Sequence, residues 1–310
     1  MKEYPSVTSY DHTGESVVTI GTFDGVHIGH RAILNRLVET ARKEDRESVL
    51  LTFFPHPRMV LQKDVEIKLI NTIDERKEML AETGLDHLII HPFTHEFSRL
   101  TAMEYVRDVL VNSFHARKII IGYDHRFGRN RTADIGDLKE YGKTYSFEVD
   151  EISAQELDEV AVSSTKIRNA LHEGDIETAN DYLGYSFMLN GTVVKGKGMG
   201  RPLGFPTANL HISEEYKLIP KNGVYIVQAS FSGKRVYGLT SIGTNPTVGG
   251  TQKTIETWFL DFDKDLYDQP LKIEFLTRIR DEEHFESVDV LKKAVANDEV
   301  FARNYILRHG

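Results

Sequence analysis

The chain has 310 residues, a net charge of −9, no cysteine, and a composition that is 40% hydrophobic and 10% aromatic. That length suffices for two globular domains, and the missing thiols exclude disulfides, thiolate metal sites and cysteine nucleophiles. The acidic balance argues against a general nucleic-acid binder, and no apolar run nears the roughly 20 residues of a membrane helix. With no signal-like apolar core in Met1–Pro5 either, a soluble cytoplasmic protein is expected.

Ser16-Val17-Val18-Thr19-Ile20 is a β-branched run that predicts a strand, and Gly21 and Gly25 punctuate the turn after it. Ile33, Leu34, Leu37, Val38 and Ala41 then recur at helical spacing, with Arg31, Asn35, Arg36, Glu39 and Arg42 on the other face. His27 and His30 stand where that helix begins, beside backbone N–H groups and the positive end of the helix dipole, where anions bind. Gly29 lies between them, so a phosphate can approach the backbone closely. Read plainly, this is a tight turn with two solvated histidines. Phe23-Asp24-Gly25 followed by His-x-Gly-His also resembles the nucleotidyltransferase family, whose histidines stabilise phosphates during adenylyl transfer.

Ser48–Phe53 predicts a second strand, ending in Phe54-Pro55-His56-Pro57, whose prolines force an exit from the sheet. The alternation continues with a helix around Asp74 to Thr83, a strand at His87–Ile90, a helix from about Ala102 to Asn112 and a strand at Lys118–Gly122. The expected fold is α/β, a doubly wound, Rossmann-like parallel sheet with His27, His30, His56 and Asp124 at the carboxyl ends of strands, where ligands lie. Arg126, Arg129 and Arg131 crowd one loop, which is either a solvated basic loop or a phosphate contact. In Val162–Arg168, Ser163, Ser164 and Thr165 supply an N-cap and hydroxyls, with Lys166 and Arg168 close by: a well-capped helix, or a second phosphate cradle.

Near Gly184 helical periodicity gives way to strands, so the domains are expected to be 1–184 and 185–310. Strands at Asn190–Lys195, Val224–Phe231, Val236–Ile242, Ile255–Phe262 and Leu271–Leu276 predict an antiparallel barrel or sandwich. A last helix runs from about Ser287 towards Ile306, with Val290, Leu291, Ala294 and Val295 on one face. Gly196–Arg201 looks like a phosphate loop but lacks the Walker spacing. In Leu203–Leu210, Thr207 and Asn209 lie two apart, so an extended backbone aims two hard oxygen donors, suited to Mg²⁺, at one face. Glu256, in a strand-like run, is either a solvated strand residue or a base.

Together the halves resemble the prokaryotic bifunctional riboflavin kinase/FMN adenylyltransferase (FAD synthetase) family. Gly21–His30, Thr52–Pro57, Gly122–Gly128 and Ser163–Arg168 carry the resemblance in the first half. In the second it rests on Gly200–Asn209, Gly223–Tyr225, Ser241–Thr247, and Asp261-Phe262 followed by Asp265–Tyr267. The resemblance implies a nucleotidyltransferase domain followed by a riboflavin kinase barrel with a terminal helix. It implies that His27 and His30 act at the α-phosphate of ATP, with Gly21, Phe23, Asp24, Gly29, Asp124, Arg126, Ser164, Thr165 and Arg168 binding ATP or pyrophosphate. In the kinase, Glu256 would take the proton of the ribityl hydroxyl, Thr207 and Asn209 would hold Mg²⁺ with ATP, and Gly198, Gly200, Pro206 and Asn245 would complete the site. Ala133, Tyr185 and Trp258 depart from the family pattern. The implied partners are riboflavin, FMN and ATP, with no nucleic acid and no membrane; nothing in the sequence speaks to oligomeric state. Two alternatives are a riboflavin kinase with a non-catalytic first domain, and a flavin-binding regulator touching RNA through the arginine loop.

Overall fold

The computed structural model describes residues 1–62, 66–123, 125–153, 162–196, 200–247 and 250–309, with backbone alone over 245–247 and 250–252. It divides into two compact units, Met1–Ser164 and Thr165–Gly310.

The first unit is built on strands β1 (Lys2–Tyr4), β2 (Ser16–Ile20), β3 (Glu47–Phe53), β4 (His87–His91), β5 (Ala116–Gly122) and β6 (Glu148–Ile152), all parallel, in the order β1-β4-β3-β2-β5-β6. Val17, Val18, Val49, Leu50, Leu51, Leu88, Ile89 and Ile119–Ile121 are all buried, as a parallel sheet covered on both faces requires. Helix α1 (Ile28–Lys43) connects β2 to β3; α2 (Pro57–Leu61) and α3 (Ile73–Ala81) lie between β3 and β4, and α5 (Ile135–Tyr145) between β5 and β6. The order reverses between β2 and β5, and a crevice opens at such a point beyond the strands' carboxyl ends. There Thr19 Oγ1 donates to the Ile120 carbonyl at 2.7 Å.

The helix expected over Ala102–Asn112 starts as α4 (Ala102–Glu104) and continues through wider π-type turns over Tyr105–Ser113. The Phe114 N–H reaches back five residues to the Val109 carbonyl, and these turns bury Tyr105, Val106, Val109 and Leu110. Strands β1 and β6 were not expected. β1 has three residues, and β6 reads as a charged loop because Glu148, Asp150 and Glu151 line this edge of the sheet. Lys118, Arg36 and Lys139 pair with those carboxylates at 3.1, 3.1 and 2.8 Å.

In the second unit α6 (Ser164–Glu173) and α7 (Ile176–Leu183) precede six antiparallel strands, which form a closed barrel rather than a sandwich. These are β7 (Met188–Val194), β8 (Ala208–His211), β9 (Gly223–Phe231), β10 (Lys234–Thr247), β11 (Gly250–Phe259) and β12 (Pro270–Arg280), closing in the order β10-β11-β8-β7-β12-β9. The Asn180 amide fastens α7 to this unit, donating to the Phe275 carbonyl at 2.9 Å and accepting from Phe187 N at 2.7 Å.

The last helix, α8, spans Val288–His309. Of its expected apolar face Leu291, Ala294 and Val295 are half-buried while Val290 is exposed, and the buried positions are Asp298 and Ala302. Ala302, with Tyr305 and Ile306, packs on Val224, Ile226, Leu239 and Leu260. Asp298 belongs on that face because Arg280 grips its carboxylate with three contacts of 2.8–3.2 Å. Among the described residues no helix is long and apolar enough to cross a membrane.

Candidate active sites

The turn after β2 is wound unusually tightly, with Phe23, Gly25 and Val26 at φ of 47°, 93° and 36°. Two of these are not glycine, a conformation that costs on the order of 1 kcal/mol or more per residue and persists only when neighbours impose it. Asp24 supplies part of that constraint. Its carboxylate is fully buried, accepts from Ile70 N at 3.1 Å and Asn71 N at 3.3 Å, and lies 3.6 Å from the equally buried Arg76 guanidinium. Ser164 donates its hydroxyl to the Asp24 carbonyl at 2.9 Å, bringing a residue 140 positions away onto the same turn.

His27 is the N-cap of α1, its Nδ1 accepting the His30 N–H at 3.3 Å. That bond occupies the Nδ1 lone pair, so neutral His27 carries its proton on Nε2. The rings of His27 and His30 stack with centroids 3.6 Å apart and planes 18° from parallel, and Phe23 packs on His30 at 4.8 Å. Gly29 fits beneath them, since a Cβ there would meet the His27 ring at 3.3 Å. Burial, reinforced by the positive fields of His27 and Arg76, holds the His30 imidazole well below its ordinary value of 6.5, so it is neutral at pH 7. Its Nδ1 is buried without a hydrogen-bond partner among the described residues. The pair thus offers imidazole groups at a helix N-terminus, a place suited to phosphate.

The other expected residues fall in several places. His56 caps α2, accepting from Arg58 N at 3.1 Å. Phe127 and Ala133 pair as an antiparallel bridge that leaves Arg126, Arg129 and Arg131 exposed, with Arg126 3.8 Å from Asp134. Thr165 and Arg168 lie on α6. Asp124, Gly198 and the side chain of Asn245 lie outside the described residues.

In the barrel, β8 pairs with β11 so that Asn209 stands directly opposite Glu256. Thr207, two residues before Asn209, donates its hydroxyl to Glu256 Oε2 at 3.2 Å. The hydroxyl, amide and carboxylate therefore share one face, an all-oxygen set of the kind a hard divalent cation takes. A cleft lined in part by Arg201, Pro206, Phe262, Lys264 and Tyr267 reaches this set at Thr207. The Gly200 carbonyl shapes the approach, accepting from Leu203 N at 3.0 Å and Phe205 N at 2.9 Å. Trp258 sits edge-on to Phe205 at 4.9 Å.

The FAD synthetase family matches residues 9–166, and the riboflavin kinase family matches residues 183–306. A bifunctional riboflavin kinase/FMN adenylyltransferase of Escherichia coli K12 is 36% identical over 93% of this chain and 92% of its own. The protein of that name from Listeria monocytogenes is 35% identical over 94% and 93%. A crystal structure described as a macrolide-efflux protein from Streptococcus pneumoniae is 31% identical, superposes with a TM-score of 0.89 and covers 98% of both chains. The chain belongs to the bifunctional riboflavin kinase/FMN adenylyltransferase family. It is a transferase with two activities, phosphorylation of riboflavin to FMN and adenylylation of FMN to FAD with release of pyrophosphate.

Sequence reasoning singled out the histidines and the Thr207–Asn209–Glu256 set, which the fold brings together, but not Arg76 or the amides of Ile70 and Asn71. Those groups lie 46 or more positions from Asp24, and no local pattern marks them.

Proposed function

We propose that the stacked histidines serve adenylyl transfer and that the Thr207–Asn209–Glu256 face serves riboflavin phosphorylation. In the first reaction an FMN phosphate oxygen attacks the α-phosphorus of ATP, and the bond to pyrophosphate breaks. His27 and His30 stabilise the charge on the α-phosphate, Gly21 and Gly29 let the phosphates approach the backbone, and Phe23 holds the His30 ring. Asp24 contributes through the turn that its carboxylate braces. Ser164, Thr165 and Arg168 receive the pyrophosphate, while Asp124 and Arg126 hold nucleotide or flavin. Such transfer needs positioning and charge neutralisation more than covalent catalysis.

In the second reaction Glu256 accepts the proton of the ribityl hydroxyl, whose oxygen attacks the γ-phosphorus of ATP as ADP leaves. Thr207 and Asn209 would hold Mg²⁺ with ATP, and Gly198, Gly200, Pro206 and Asn245 border the nucleotide. Their oxygens fit the ion, which would neutralise phosphate charge when bound. We place the functional boundary between residues 184 and 185, and the workplace in the cytoplasm, with small-molecule partners and neither nucleic acid nor membrane.

The observation that carries this reading is the 3.2 Å contact of Thr207 with Glu256, opposite Asn209. A chromatographic time course with ATP and Mg²⁺, started from riboflavin or from FMN, tests it. Glu256→Ala should abolish FMN formation yet still convert supplied FMN to FAD, and His30→Ala should do the reverse. Loss of both activities in either folded variant would overturn the assignment.

A further inference from the structure

At the amino-terminal edge of the parallel sheet, opposite the end that carries His27 and His30, lies a second pair of histidines that neither transfer uses. His87 opens β4, Glu47 opens β3, and His12 stands in the connection before β2. One ligand atom from each of the three lies within 4.8 Å of the others. His87 Nε2 is 3.2 Å from Glu47 Oε2, and the rings of His12 and His87 are 5.1 Å apart.

His87 is only 3% exposed; its Nε2 faces the Glu47 carboxylate alone, and its Nδ1 makes no hydrogen bond among the described residues. A buried imidazole left so is costly unless something else takes its lone pair. Tyr10 meets it edge-on at 5.3 Å and Tyr4 tilts over it at 5.7 Å, walling one side with rings that offer the nitrogens nothing. The His12 ring lies directly over Gly14, where a Cβ would come within 2.5 Å of Nε2, so the glycine is what lets the imidazole sit there.

We infer that His12, Glu47 and His87 form a binding site for a divalent transition-metal ion, Zn²⁺ by donor type. Two imidazoles and one carboxylate make a three-ligand Zn²⁺ set, with water completing a tetrahedron. Ligands at ordinary Zn²⁺ distances stand about 3.3–3.5 Å apart in a tetrahedron. The 3.2 Å between His87 and Glu47 is already close to that separation, and a ligand atom of His12 lies within 4.8 Å of both, which binding would have to shorten. The set also argues against Mg²⁺, which prefers oxygen. Lying at the opposite end of the sheet from the nucleotide turn, the ion would clamp β3, β4 and the 10–15 connection without touching substrate.

Calorimetric titration of untagged, EDTA-stripped, full-length protein with ZnCl₂, in the absence of nucleotide, tests the site. One equivalent should bind at micromolar protein. His12→Ala alters a half-exposed loop residue and should weaken binding at least about tenfold while leaving both transfers intact. Glu47→Gln should weaken it as well. The double variant His27→Ala/His30→Ala, which removes the other imidazole pair, should bind as the parent does. Absence of stoichiometric binding, an unchanged isotherm in His12→Ala, or loss of binding only in the His27/His30 variant would each overturn the inference.

Discussion

In the parallel-sheet unit the groups proposed to meet phosphate come from one stretch, Gly21–His30, whereas in the barrel Thr207 meets Glu256 across β8 and β11, 49 residues apart. A parallel sheet leaves its strand ends and helix N-termini at one edge, so a single turn can present backbone and imidazoles to a phosphate. An antiparallel barrel has no such edge. Its chemistry comes from side chains that strand register sets face to face, and the proposed roles therefore differ: charge stabilisation in one unit, proton acceptance in the other.

The largest expected effect tests that contrast directly. Glu256→Gln keeps the shape and removes the proton acceptor, so riboflavin phosphorylation should fall about 10²–10⁴-fold, read as kcat with FMN adenylylation as internal control. His30→Ala should lower FAD formation from supplied FMN about 10²–10³-fold while FMN synthesis continues. Next comes the barrel interior. Phe275→Ala removes a fully buried ring and should cost about 3–5 kcal/mol, measured by denaturant unfolding. Asp298→Ala leaves Arg280 without its carboxylate at a partly shielded site and should cost about 1–3 kcal/mol. By comparison Arg303→Ala, which breaks exposed pairs with Asp261 and Glu299, should change stability by roughly 0.5 kcal/mol or less.

The two units should also differ with acid. His30 is held neutral in the folded protein, below its ordinary 6.5, so the unfolded chain binds a proton that the folded chain refuses. Its stability contribution is therefore full above pH 6.5 and lost as pH falls below that value. Denaturant unfolding followed by circular dichroism across this pH range should show the decline, and His30→Asn should flatten it. An unaltered slope would mean that burial does not govern that imidazole.

Much of this was legible in residue order because the phosphate turn is local. Strand β2, the two glycines, the histidines and the amphipathic face of α1 are neighbours in the chain, so periodicity and turn chemistry suffice. The Thr207–Asn209 spacing was equally readable, since alternation on an extended backbone needs no partner. What escaped depends on distant segments. Asp24 reads as a ligand but spends its carboxylate on Ile70, Asn71 and Arg76. Val290 reads as core yet is exposed, because α8 packs through Ala302 while Arg280 draws Asp298 inward. The π-type turns of Tyr105–Ser113 leave no mark on apolar spacing that separates them from an ordinary helix.

The strand order has a further consequence, for colloidal behaviour. A closed barrel offers no free row of backbone donors and acceptors, whereas an open sheet offers two. Here one is the three-residue β1, opening with Lys2 and Glu3, and the other is β6, bearing Glu148, Asp150 and Glu151. A second chain adding a strand beside β6 would meet a row of ion-paired charged side chains, and beside β1 it would find little backbone to pair with. The sheet that carries the stacked histidines beyond its carboxyl ends is thereby blunted at its sides against fibre-like assembly.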